Sequence, residues 1–294
     1  MHRWSVISFW FGFLLFSSLA FAVGDDQLPD GIKSDSFPPN VGNFALPTSQ
    51  QPGPLLSFGQ TLIGRNDLQL AINAFSPYSI GGAFDSTNVT MTYGITDRLA
   101  LYFKYPISAP SLLDINLQLE QAIYTSSRSR YSDLATIVGA VTLPIKEATT
   151  TKQIPQGYGA PTYFLGTTFN RTYVDWMGFV SPGVQVTTSS NHVRLGSQVL
   201  YQAGIGRNII AVSDQSILFG LLELDGQYTE KDHIFGRAEQ NTGGNTVALA
   251  PSIWFSSKSL IVHAGVGFPV VQDLNGNQCK IDYFVVGEVI WTIS

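Results

Sequence analysis

Charge is scarce in this sequence: Asp, Glu, Lys and Arg make up 13% of its 294 residues, against about 25% in typical soluble domains. A soluble fold of this length covers its outside with charge, and here there is little to cover it with. Basic residues are the rarer sign, 16 against 21 acidic, for a net charge of −5. That leaves no cationic footprint for a nucleic-acid partner. The single cysteine, Cys279, excludes an intramolecular disulfide. Beyond the first 22 residues no run of about 18 apolar residues occurs, so no transmembrane helix is available. His192, His233 and His263 lack ligand spacing, and the H-E-x-x-H, C-x-x-C, G-x-S-x-G and phosphate-loop motifs are missing. The sequence therefore predicts no metal, no cofactor and no enzyme. What it does contain is 44% hydrophobic and 12% aromatic residues, with Gly 28 and Pro 15 scattered through the chain, the composition of a structured, β-prone protein.

Residues 1–22 begin with His2 and Arg3, continue apolar from Trp4 to Leu14 and end Ala20-Phe21-Ala22. This is the pattern of a secretory signal peptide with an A-x-A cleavage site, so the mature chain is expected to start at Val23. Residues 23–64 open with Pro, Gly, Ser, Asp and Asn and no regular period; they read as a periplasmic linker or as a plug folded back into the lumen.

From residue 65 to 294 the text changes. Apolar and polar residues alternate in stretches of about ten, separated by turn chemistry. In Asp114–Tyr124, Ile115, Leu117, Leu119 and Ile123 take one face and Asp114, Asn116, Gln118 and Glu120 the other. A helix would mix these two sets, whereas a strand separates them. The same test predicts twelve strands, at 68–79, 86–95, 98–107, 113–127, 131–145, 158–171, 175–187, 193–209, 216–230, 245–256, 259–272 and 281–294. Short connections at 96–98, 127–130, 172–175 and 256–259 alternate with longer ones at 146–157, 231–244 and 273–280, while the one near 210–216 is of medium length. An even strand count with short turns at one end and longer loops at the other predicts an all-β, antiparallel up-and-down transmembrane barrel. Such a barrel belongs in the outer membrane of a bacterial cell, in contact with its lipid and assembled by the barrel assembly machinery. A sheet that spans lipid must close on itself, because lipid offers its edges no hydrogen bonds.

Trp176, Trp254 and Trp291 fall near the short-turn ends of their strands, as an interfacial aromatic girdle requires, although alternation points Trp254 inward. At the opposite end Tyr105-Pro106-Ile107, Leu143-Pro144-Ile145 and Phe268-Pro269-Val270 are expected to close strands, since proline there interrupts no central ladder.

In Tyr93-Gly94-Ile95-Thr96-Asp97-Arg98-Leu99-Ala100-Leu101, ending Tyr105-Pro106, the chain resembles the outer-membrane family called the MetA-pathway of phenol degradation. Further likeness lies in Leu113–Tyr124, Ala140–Pro144, Leu222–Gly226 and Ser57-Phe58-Gly59-Gln60, spanning roughly residues 55 to 294. The resemblance implies an outer-membrane transporter barrel for small, often aromatic or hydrophobic compounds, and it brings no catalytic residues. The chain departs from the usual pattern by ending in Ser294 where such strands end in an aromatic residue.

Alternation places Lys104, Asp114, Glu120, Arg194, Glu223, Asp225, His263, Asp282 and Glu288 on the inner face, with the aromatic residues Phe75, Tyr102, Tyr124, Phe164, Phe179 and Phe219. Six acids face two bases, so ion pairing leaves four carboxylates over and predicts mild cation preference. His263 shows no serine partner in the sequence and reads as lumen lining, not as the base of an embedded hydrolase. Twelve strands lie between the filled eight-stranded barrel and the open sixteen-stranded porin, so a narrow passage is expected. The function expected is passive or facilitated diffusion of a small-molecule solute; the alternative is a surface structural or adhesion barrel with a closed lumen.

Overall fold

Alternation of apolar and polar residues becomes, in the computed structural model, a closed antiparallel barrel. Residues 40–79, 82–83, 86–107, 114–145 and 159–293 are described. The expected signal peptide, the start of the mature chain and the connection at 146–157 lie outside the described residues.

The twelve long strands are β1 (Leu68–Ser79), β2 (Ser86–Thr96), β3 (Leu99–Pro106), β4 (Asp114–Ser127), β5 (Tyr131–Pro144), β6 (Thr162–Tyr173), β7 (Trp176–Thr187), β8 (Gln198–Val212), β9 (Ser216–Thr229), β10 (Gly244–Ser257), β11 (Leu260–Leu274) and β12 (Tyr283–Ile293). Each pairs with its sequence neighbours, and β12 closes on β1 in unbroken register from Leu68↔Ile293 to Tyr78↔Tyr283. The two-residue piece Gly82–Ala83 prolongs the β1–β2 hairpin.

The outward positions carry the apolar set. Leu119, Leu165, Ile205, Leu222 and Ile253 are all exposed, Leu165 at 64% and Ile205 at 60%. Exposed aliphatic side chains on so many strands have no place in water, but they match the lipid-facing band of a transmembrane barrel. At the short-turn end Trp176 stacks on Tyr173 with ring centroids 4.3 Å apart, and Trp176 and Trp291 are exposed on the outer face. Trp254 is buried and points inward, as alternation predicted. Asp133 on β5 is buried and takes a two-pronged pair from Arg171 on β6, at 2.6 and 2.8 Å, which fixes that end of the hairpin.

Four irregularities shift the alternation by one residue; one lies at the turn end of β2, where Gly94 pairs with Ala100 but Thr96 with Leu99, and the other three lie further along the barrel. On β4 the register slips between Ala122 and Tyr124, leaving Ile123 as the extra residue. On β8 it slips between Asn208 and Ile210, so Ile209 and Ile210 are both exposed. On β10 and β11 Val247 pairs with Val271 but Ala248 pairs with Pro269, so Val270 is extra. A bulge inserts one unpaired residue and bends its strand. The bulge on β8 carries that strand to Val212, so the connection expected to be of medium length is the short turn 213–215. The one on β11 explains Pro269: unlike Pro106 and Pro144, which end their strands, it lies inside β11, beside the bulge.

Candidate functional site

The inner face is best described together with residues 40–64, which precede β1 and lie against it. Their path starts at the short-turn end, where the Asn43 backbone N–H donates to the Val174 carbonyl at 2.7 Å and the Asp214 N–H donates to the Ala45 carbonyl at 2.9 Å. Gln50 hydrogen-bonds the Thr292 hydroxyl on β12, and Gln69 on β1 donates to the Ser49 carbonyl at 2.7 Å. The chain then reaches Glu223, at the middle of β9. That carboxylate accepts the backbone N–H groups of Leu55 at 2.7 Å, Leu56 at 3.2 Å and Ser57 at 3.2 Å, together with the Ser57 hydroxyl at 3.1 Å.

Phe58 forms the apex. Its N–H donates to the Gln202 side-chain carbonyl at 3.0 Å, and its ring meets Phe164 edge-on at 4.7 Å. The ring lies over Gly166 and Gly183, where a Cβ would come within 2.5 and 3.0 Å of it, so two glycines of the wall make room for this side chain. Gly59 follows with φ +77, a left-handed conformation that turns the chain back at no steric cost.

The returning arm is held by Glu120 on β4. Its carboxylate accepts the N–H groups of Gln60 and Thr61, both at 2.8 Å, the Thr61 hydroxyl at 2.6 Å and the Thr136 hydroxyl at 2.7 Å. Thr136 in turn shares a hydrogen bond with Thr168 at 2.7 Å. Both glutamates are completely buried. A buried carboxylate is costly unless its lone pairs are filled, and here backbone amides fill them. Two of the acids expected to seek bases are thus satisfied by neutral donors.

The other expected residues separate into groups. Asp225 points inward and accepts from Gln202 at 2.5 Å. His263 is buried, and its Nε2 lies 3.0 Å from the Ser252 hydroxyl on the neighbouring strand. A serine partner therefore exists, contrary to expectation. Among the described residues His263 Nδ1 has no hydrogen-bond partner, so none of them orients the imidazole through that atom, and both residues are buried. A hydrolytic dyad requires an oriented base and an accessible nucleophile, and this pair has neither.

Among the aromatics, Phe179 and Phe219 are buried with Met177, Ile217, Leu221, Trp254 and Ile261 against Ala45 and Leu46. Phe75 packs on Phe284 with centroids 5.2 Å apart, and Phe164 is covered by Phe58. Of the six, Tyr102 presents itself with a polar atom to an open cavity of about 890 Å³, which Lys104 and Glu288 also line. Asp114, at the start of β4, acts electrostatically on Lys104.

Three expectations need correction. Tyr124 is on the outside, 51% exposed, because the bulge at Ile123 reverses the phase of the last part of β4. Arg194 is not on the wall. It belongs to a small sheet at the long-loop end, formed by Val193–Arg194, His233–Ile234 and Arg237–Ala238, where it approaches Glu230 at 3.9 Å. Asp282 is exposed just before β12 begins, its N–H held by the Tyr78 carbonyl. Near the small sheet, Asp232 accepts the Gly196 N–H at 2.7 Å; burial nevertheless keeps its carboxyl above the usual carboxylate range.

The alternation pattern missed the contribution of Leu55 to Thr61, which act mainly through backbone amides that no side-chain pattern reports. A scan against protein-family models finds no match, and a search of curated proteins finds none either. Among solved structures, an outer membrane channel from Pseudomonas putida F1 aligns with a TM-score of 0.59 at 12% identity, covering 83% of this chain and 99% of that one. LpxR from Salmonella typhimurium gives 0.43 at 7% identity, covering 76% and 99%, and the P. putida toluene transporter TodX gives 0.36 at 8%, covering 88% and 99%. The first of these alignments is good enough to carry a conclusion about fold: this chain is a closed twelve-stranded antiparallel barrel of the kind found in an outer membrane channel.

Proposed function

We propose that the protein is an outer-membrane diffusion channel for small solutes whose bore is set by its own residues 40–64. The observation that carries this reading is the pair of carboxylate latches. Glu223 and Glu120 hold the two arms of an inserted segment from opposite parts of the wall, and a cavity of about 890 Å³ remains beside it. A barrel meant only as a wall anchor would fill that space with side chains, as the smaller barrels do.

The finer question is the solute. The resemblance noted above favours aromatic compounds, but Phe179 and Phe219 are packed into a dry cluster and Phe164 is capped by Phe58. On the side of β1 to β4 the cavity is lined by Asn73, Asn88, Thr90, Asn116 and Gln118, with Lys104 and Glu288, while Phe58, Phe164 and Trp254 border it from the other side. Neutral amides and hydroxyls suit a hydrated solute that hydrogen-bonds as it passes. On this reading, small polar molecules cross by diffusion and the membrane lipid surrounds the barrel.

Single-channel conductance in a planar bilayer tests the proposal. The native barrel is expected to give small discrete steps, and a variant lacking residues 40–64 larger ones. A folded barrel that stays silent in both forms would favour the surface-structural reading.

A further inference from the structure

Among the described residues, Lys104 and Glu288 are the two charged side chains that face the cavity. Among the described residues the ion pairs are Arg171 with Asp133 and Arg194 with Glu230, so neither cavity charge belongs to one. No hydrogen bond among the described residues involves either side chain, and neither has a polar atom shut away from the void without a partner. Their relative position follows from the register. Lys104 lies in the row Lys104–Thr90–Ala71–Ile290 and Glu288 in the next row toward the long loops, Pro106–Asn88–Asn73–Glu288. They are three strands apart, so their Cα atoms are separated by roughly 14 Å along the wall at about 4.8 Å per strand. Both side chains converge on the same void from there.

Opposite charges at membrane depth are costly unless paired or wetted, and the simplest economy would be to pair with each other. Their separation prevents that and leaves a gap of solute size between a cation and an anion. Tyr102 lies in the electrostatic field of Glu288, and Asp114 in that of Lys104. Asn73 and Asn88, in the row of Glu288, and Asn116, opposite Lys104, add amides able to donate and accept.

We propose that this cavity is a binding site for small zwitterionic solutes, free α-amino acids being the type, with the carboxylate at Lys104 and the ammonium at Glu288. The proposal rests on the channel reading for its purpose, but the site can be tested without it. A lone anion would meet Glu288 and Asp114, and a lone cation would meet Lys104. A zwitterion of the right polarity satisfies both ends at once, and its two charges are matched without a net transfer of charge into the barrel.

The test is calorimetric titration of the purified barrel in detergent with four ligands of similar size: alanine, its cation alaninamide, the anion propionate and neutral propionamide. Alanine is expected to bind in the millimolar range and the other three about tenfold more weakly, a difference of about 1.4 kcal/mol. Lys104→Gln and Glu288→Gln are each expected to remove the preference for alanine. Gel mobility without boiling verifies that each variant remains a folded barrel. Alaninamide binding as well as alanine, and surviving Lys104→Gln, would show a plain cation site and overturn the proposal, as would absence of alanine binding to the native barrel. Conductance separates the two readings: a silent barrel that binds alanine overturns the channel, and a conducting barrel indifferent to alanine overturns the site.

Discussion

Two sectors of one inner face treat the same inserted segment differently. On β7, β9, β10 and β11 the inward positions include Met177, Phe179, Ile217, Phe219, Leu221, Trp254 and Ile261, packed with Ala45 and Leu46. On β1 to β4 they include Asn73, Asn88, Thr90, Thr92, Asn116 and Gln118, and beside them the space stays open. The backbone is equivalent in both, so the difference lies in side-chain chemistry alone. Apolar bulk excludes water and binds the segment by packing, whereas amides and hydroxyls are best satisfied by keeping water or a polar solute. The barrel is thus half core and half cavity.

The comparison can be broken most severely by removing residues 40–64. Conductance is expected to rise severalfold, because the segment and not the wall sets the bore; unchanged steps would mean that the wall side chains are limiting. Next in size, Phe219→Ala should cost about 3–5 kcal/mol as a large-to-small change in a packed cluster. Asn88→Ala in the open sector should stay within about 0.5 kcal/mol if water already fills the space. Equilibrium refolding into lipid vesicles measures both, and equal costs would erase the distinction between the sectors.

Comparable in size to Phe219→Ala is Glu223→Leu. It leaves the amides of Leu55, Leu56 and Ser57 without an acceptor in a buried place, at about 1–3 kcal/mol for each group that finds no substitute. Amide hydrogen exchange at residues 55–57 should quicken far more than at Gln60 and Thr61, which Glu120 still holds. Equal acceleration at both would show one cooperative latch in place of two.

The smallest effect concerns the long-loop end. Burial raises the Asp232 carboxyl above its ordinary value, so the folded loop favours the protonated form. Its contribution to stability is full below the unfolded value of about pH 4 and is lost as pH rises through the raised folded value. Protease resistance of residues 230–243 should therefore fall with rising pH, and Asp232→Asn should flatten that profile. A profile unchanged by the substitution would remove Asp232 as its cause.

Most of the wall was legible in the sequence because one physical constraint, a strand that turns successive side chains to opposite faces, is written on every second residue. Asp114 to Ala122 shows it without interruption. Reading stops where a bulge inserts an unpaired residue, since period 2 carries no marker for a change of phase. Tyr124 was therefore placed inside, and the end of β8 was read short. Arg194 was misplaced for a related reason: Val193 and Arg194 look like the start of β8 but pair with His233 and Ile234 in a separate sheet. The latches were half legible. The excess of inward acids over bases was read as a mild cation preference, whereas Glu120 and Glu223 are satisfied by backbone amides, which are the same at every residue and leave no trace in composition. The phrase Ser57-Phe58-Gly59-Gln60 was read only as part of a family resemblance, although in the structure its glycine turns the chain beside the Phe58 ring.

The order of the anchors along the inserted segment has a mechanical consequence. From its N-terminal side come the contacts of Asn43 and Gln50 at the short-turn end, then Glu223, then Phe58 at the apex, and last Glu120. A pull applied at that side loads them in series, one after another, instead of all together. Extraction is therefore a peeling process, in which each step exposes a short stretch and leaves the rest in place. The lumen of such a barrel widens in increments, and the last increment waits on a single carboxylate.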